Sequence, residues 1–255
     1  MRKPALSVFL AACLAVLSLL CVFPSAAEET VDVLSSPLPL LVNKDYPVSD
    51  DFVPADLVLL SDVLDSSLVR IKGNRKIYAV RAAAEALETM LEAARDDGIR
   101  NWQISTAYRS IADQQKVMNN RINYYRKKNP SWSKSRAKSA ALRSVAEPGC
   151  SEHHLGLAFD INVPNTSAFK GTKQCKWLHA HCWDYGFIVR YQKDKEAITG
   201  FTAEEWHIRY VGIAHAQFMR DNNMCLEEYI PYARDNPDDF AVMVEEIPLD
   251  GFPVP

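Results

Sequence analysis

The 255-residue chain contains no HExxH helix, no CxxC pair, no K-T-G and no S-D-N. The first absence excludes metallopeptidases that hold zinc from two turns of one helix. The second argues against a cysteine zinc knuckle. The last two leave Ser131-Trp132-Ser133-Lys134 and Ser135-Arg136-Ala137-Lys138 as bare S-x-x-K matches in a Lys/Ser-rich stretch. Neither has the partners that a serine acyl-enzyme needs. A large charge imbalance is also missing: the formal net charge of -3 gives no global attraction to nucleic acid or acidic membranes. No internal repeat is visible, and residues 5–23 (ALSVFLAACLAVLSLLCVF) carry no charge at all.

That uncharged run follows the basic start Met1-Arg2-Lys3 and precedes Pro24 and the small residues Ser25-Ala26-Ala27. Residues 1–27 therefore read as a signal peptide, or as an N-terminal membrane anchor, because about 19 apolar residues also nearly span a bilayer. Both readings put the remainder outside the cytoplasm, secreted or anchored at the cell envelope. Four cysteines then remain: Cys150, Cys175, Cys182 and Cys225. They permit two disulfides in any of three connectivities, or four free thiols.

Residues 28–37 read as a linker, 38–230 as one α+β domain and 231–255 as an extended, acidic, Pro-containing tail. Residues 28–60, rich in Pro and Asp, suggest a segment that wraps without long helices. Over 80–97, Ala83, Leu87, Met90, Leu91 and Ala94 share one helical face and Gly98 supplies the stop. WQISTAY at 102–108 alternates as a strand, and Ser110 with Asp113 marks a helix start. Further strands are expected at 157–163, 187–191 and 206–211, and helices near 175–185 and 213–222. From Gln114 to Ala146 there is no acid but nine Lys or Arg. That segment is either a solvated helical face or a surface for anionic wall polymers or lipid headgroups.

Catalytic zinc usually has three protein ligands, mostly His with at most one carboxylate, and an open fourth position. His153, Asp160 and His207 can supply that set. Asp160 shares a strand face with Ala158 and Asn162, and a carboxylate buried there needs a partner. A cation would serve. Glu204, three residues before His207, is placed to act as general base, and Arg109, after a strand, to stabilise charge on an attacked carbonyl. Each residue alone also has a plainer reading. The histidines could cap or lie on the surface, Asp160 could pair with an arginine, Glu204 and Glu205 could face solvent before a strand, and Tyr108-Arg109-Ser110 could be a strand end and cap.

The order of these residues resembles the VanY-type D-alanyl-D-alanine carboxypeptidases, zinc peptidases of the bacterial cell wall. S-x-H-x-x-G-x-A-x-D is complete as Ser151, His153, Gly156, Ala158 and Asp160. E-x-W-H-x-R-Y-V-G is complete as Glu204, Trp206, His207, Arg209, Tyr210, Val211 and Gly212. Tyr108, Arg109, Ser110 and Gln114 match a third patch, and LVNKDYPVSDDFVP (41–54), YGFIVRY (185–191) and ITG (198–200) extend the likeness over about 40–228.

The resemblance implies a hedgehog/D,D-peptidase-like fold: a single α+β domain with a small, mostly antiparallel sheet and flanking helices. It implies one Zn²⁺ per chain on His153, Asp160 and His207, Glu204 as base, and Arg109 as transition-state stabiliser. Ser151 and Gln114 would help hold the terminal D-alanine of a peptidoglycan stem peptide, and the chain is expected to be a monomer. His154 stands where relatives often carry glutamine and is not expected as a ligand. Glu205 replaces a common proline and adds negative charge expected to raise the pKa of Glu204. L,D-carboxypeptidase or D-Ala-D-Ala dipeptidase activity on the same site stays open, as does a non-catalytic zinc-fold binding module.

Overall fold

The structure is a computed structural model that describes residues 30–166 and 168–239. The export or anchor segment expected over 1–27 lies outside the described residues, as does most of the expected tail, 240–255. Among the described residues no helix is long and apolar enough to cross a membrane.

The strands are β1 (Leu57–Leu59), β2 (Val69–Ile71), β3 (Tyr78–Val80), β4 (Trp102–Thr106), β5 (Ala158–Asn162), β6 (Phe187–Tyr191) and β7 (Glu204–Tyr210). The helices are α1 (Leu60–Val63), α2 (Arg81–Asp96), α3 (Ile111–Lys128), α4 (Lys134–Ala141), α5 (Lys173–His181), α6 (Glu196–Thr199), α7 (Ile213–Asp221) and α8 (Leu226–Asp235). Five strands form one sheet in the order β2-β4-β5-β7-β6, and β1 pairs with β3 in a separate ribbon. Only β2 and β4 run parallel in the main sheet. This is the small, mostly antiparallel α+β arrangement that the resemblance implied.

The apolar stripe of α2 is buried in one core with Phe159 and Ile161 of β5 and Ile208 of β7. Its end is a Schellman turn: Gly98 takes φ 77°, its N–H donates to Arg95, and the Ile99 N–H donates to Ala94. Helix α3 starts at Ser110, whose hydroxyl accepts from the Asp113 N–H at 3.2 Å. The basic segment folds as the α3–α4 pair over its own small core of Met118, Ile122, Ala137, Ala141 and Val145. Of its nine cations only Arg121 is half-buried; the others are exposed, as on a solvated face.

Three boundaries differ from expectation. The chain after 230 does not begin as an extended tail, because α8 continues to Asp235 with Tyr229, Ile230 and Ala233 buried against the core. The expected linker 28–37 contributes Val33 to the core, and the Val31 N–H donates to Val53 at 2.8 Å. Glu204 and Glu205 do not precede a strand; they are the first two residues of β7. All four described cysteines are free thiols.

Candidate metal centre

Strands β5 and β7 pair so that Asp160 lies opposite His207. The acid and imidazole therefore meet, with His207 Nδ1 3.1 Å from Asp160 Oδ1. His153 comes from a 3-10 turn, Glu152–Leu155, that ends at Gly156 with φ 68°. A Cβ on Gly156 would approach the Val80 backbone nitrogen to 3.2 Å, so the close approach of β3 needs glycine. His153 Nδ1 lies 2.7 Å from the Ala107 carbonyl oxygen, which can only accept. Nδ1 therefore carries the proton, and the lone pair of Nε2 faces Asp160 Oδ2 at 3.5 Å.

One donor atom from each of His153, Asp160 and His207 lies within 4.8 Å of the others. Zinc bonds of about 2.0 to 2.2 Å at the tetrahedral angle set donors about 3.3 to 3.6 Å apart, so this spacing accommodates an ion. Two imidazoles and one carboxylate are also the right chemistry for a catalytic zinc. The far side of His207 is held differently. Its Nε2 lies 3.7 Å from Oε2 of the fully buried Glu152, and neither atom has a hydrogen-bond partner among the described residues. Glu152 Oε1 accepts from Arg190 Nε at 2.8 Å and Arg209 Nη1 at 3.1 Å. The charged carboxylate thus attracts Nε2–H across that gap and favours the orientation with Nδ1 facing Asp160.

Glu204 and His207 are three apart, and strict alternation would put them on opposite faces of β7. The ladder is irregular between them: Tyr191 pairs with Glu204 but Val189 with Ile208, so four residues of β7 span two of β6. The Glu204 carboxyl is pushed up to about 7 by burial; Asp160 adds to the rise, while His207, Arg121 and Arg109 oppose it. Glu205 is not the cause that the sequence suggested. It turns to Lys170 Nζ, 2.5 Å away, and to His179.

Burial would raise Asp160, yet His153 and His207 together hold its carboxyl well below the usual range. Burial and the neighbouring Arg109 lower His153 to about 4, so its imidazole is neutral at neutral pH. Arg109 approaches the cluster with Nη2 4.0 Å from Asp160 Oδ2. Burial lowers its pKa, offset by Asp160 and Glu204.

Gln114 is buried with both ends engaged: Oε1 accepts from Arg109 Nη1 at 2.7 Å and Nε2 donates to Ala146 at 2.6 Å. Its geometry braces Arg109. Ser151 is buried directly before the turn. His154 is no ligand; Nδ1 donates to the Arg109 carbonyl and Nε2 accepts from the Gly149 N–H. Beside Asp160 a cavity is lined by Ser105, Asn162, Phe169 and Trp206. Sequence reasoning missed Glu152, whose only signal was its place beside His153.

The VanY D-alanyl-D-alanine carboxypeptidase profile matches residues 76–213, more than half of the chain. The putative carboxypeptidase YodJ of Bacillus subtilis is 38% identical over 194 residues, 74% of this chain and 65% of its own length. The LdcB LD-carboxypeptidase structure matches with a TM-score of 0.63 at 36% identity, covering 75% of this chain and 84% of that one. A vancomycin-resistance D,D-pentapeptidase VanY, solved as a mutant in complex with Zn(II), matches with a TM-score of 0.60 at 34% identity. That match covers 75% of this chain and 97% of the other. The chain spans between 52% and 65% of the length of the first three curated relatives it matches. A family profile across the whole candidate centre, with two complete motifs folded onto one cluster, places this chain in the VanY D-alanyl-D-alanine carboxypeptidase family.

Proposed function

We propose that the chain is a zinc-dependent carboxypeptidase that removes the C-terminal D-alanine from peptidoglycan stem peptides ending in D-Ala-D-Ala. The observation that carries this is the convergence of His153, Asp160 and His207 within 4.8 Å, beside a glutamate held near neutral pKa. Zn²⁺ fits the donor set, and the VanY relative binds Zn(II). His153 Nε2, an Asp160 oxygen and His207 Nδ1 would hold it, and the ion would supply Lewis acidity at the scissile carbonyl.

Glu204 takes the proton of the attacking water and returns it to the leaving amine of D-alanine. A pKa near 7 suits both transfers, because neither direction is strongly uphill at neutral pH. Arg109, braced by Gln114, stabilises the charge that grows on the carbonyl oxygen. Ser151 and the cavity beside Asp160 receive the terminal residue. The reaction takes place outside the cytoplasm, reached through the export or anchor segment 1–27. The exposed cations within 116–143 offer a face to anionic wall polymers, and the working unit is a monomer.

The test is mass spectrometry of muropeptides incubated with the purified protein, with and without a chelator. Loss of one alanine from pentapeptides and none from tetrapeptides, abolished by the chelator, is the expected result. Trimming of tetrapeptides alone would move the substrate to the L,D-class of the LdcB relative. Activity that resists chelation would refute the metal mechanism.

A further inference from the structure

We propose that Cys175, His179 and Glu205 form a second divalent-metal site, separate from the His153/Asp160/His207 centre. Cys175 and His179 are four apart on α5 and so share one helical face, and Glu205 reaches them from β7. Cys175 Sγ lies 3.8 Å from His179 Nε2, which lies 3.7 Å from Glu205 Oε2. One donor atom from each of the three residues lies within 4.8 Å of the others. Bonds of about 2.0 to 2.3 Å at the tetrahedral angle place sulfur, nitrogen and oxygen donors about 3.3 to 3.6 Å apart, so small rotations close the site.

The surroundings suit an ion. Thr172 caps α5 and accepts from the Cys175 N–H at 3.1 Å, fixing the thiol in the first turn; burial pushes that thiol up, so the ion itself must displace its proton. Lys170 occupies Glu205 Oε1, leaving Oε2 as the oxygen that faces the imidazole. A cavity lined by His179, Trp183, Tyr191, Ala203 and Glu205 opens beside the cluster, giving entry and a fourth position for water.

A thiolate and a carboxylate neutralise a 2+ ion, and the sulfur selects zinc-like metals over magnesium or calcium. Protons balance as follows: binding releases the Cys175 thiol proton. It also displaces the Nε2 proton that His179 donates to the Glu205 carbonyl oxygen at 3.0 Å, and that proton moves to Nδ1. An ion there clamps α5 to β7 one residue from Glu204.

Cobalt(II) loading of the full chain separates the two centres. A thiolate ligand gives an intense near-ultraviolet charge-transfer band, whereas a His/His/Asp centre has no sulfur to give one. The wild-type chain is expected to bind two cobalt ions and show the band. Cys175→Ser should bind one ion without the band, that remaining ion also showing that the fold survives. His153→Ala should bind one ion and keep the band, so failure of the catalytic zinc would be told apart from failure of this site. A wild-type chain that binds cobalt without the band would overturn the proposal, as would a band that survives Cys175→Ser.

Discussion

At position 204 chemistry and stability pull in opposite directions. Burial raises this carboxyl from 4.5 to about 7, so the folded chain binds its proton more tightly than the unfolded chain does. For an acid raised in this way, stability falls as pH climbs from 4.5 to 7 and stays lowered above. Glu204→Gln removes the penalty. In metal-free protein it should raise stability by about 2 kcal/mol above pH 7, after discounting for partial exposure, and change nothing below pH 4.5. Thermal unfolding at the two pH values checks this. The same variant should keep its zinc and lose turnover by at least about 100-fold, the usual contribution of a general base. Equal stability above pH 7 would mean that the carboxyl is not held as described.

Glu152 is the second residue whose role is open to test. Replacing it with glutamine leaves Arg209 without its carboxylate and the His207 imidazole without its orienting anion. Glu152→Gln should weaken zinc binding about 10- to 100-fold, read by competition with a chelator. It should also cost about 3 kcal/mol, because it uncovers buried cations. The clustering of His153, Asp160 and His207 was legible in sequence because their types and order match a motif. Glu152 was not, because an acid beside a histidine reads as a solvent-facing residue until the sheet brings Arg190 and Arg209 onto it. Gln114 was legible as important but its bracing of Arg109 was not, since only the fold shows both ends of its amide engaged.

Among the elements, β7 carries most of the site, and its C-terminal end packs against the turn before β6. Gly186 there has φ 78°, and an added Cβ would lie 3.0 Å from the Gly212 carbonyl carbon and 3.1 Å from the Ile213 nitrogen. Both neighbours are backbone, so neither can swing aside. Gly186→Ala should therefore destabilise the chain by on the order of 3 kcal/mol, measured by denaturant unfolding. Helix α2 and strands β4 and β5 were readable because each has a clean apolar period, whereas β6 buries all five of its residues and β7 is irregular at its start. Helix α8 shows how such a period can be hidden: Leu226, Tyr229, Ile230 and Ala233 keep the helical spacing, but the acids and Pro231 among them look like a tail. The irregular ladder at Glu204 had no sequence signal, since the pairing partner decides where extra residues fall.

Across the whole molecule the centre joins segments that are far apart in sequence, while the α3–α4 pair keeps a core of its own. Zinc that binds the folded chain alone adds about 2.7 kcal/mol at a free concentration 100 times its dissociation constant. That gain would belong to the elements that carry the three clustered residues: β5, β7 and the turn Glu152–Leu155. The α3–α4 pair touches the centre through Gln114 and Arg109 at its start, but Met118, Ile122, Ala137, Ala141 and Val145 pack apart from the main core. Chelation should therefore speed amide hydrogen exchange in β5, β7 and the turn, and leave the middle of α3 and all of α4 nearly unchanged. Exchange followed by mass spectrometry on zinc-loaded and stripped protein makes the comparison. Equal loss of protection in α3–α4 would show that the basic helices and the centre open as one unit, and the two separate cores would then not mark separate units of stability.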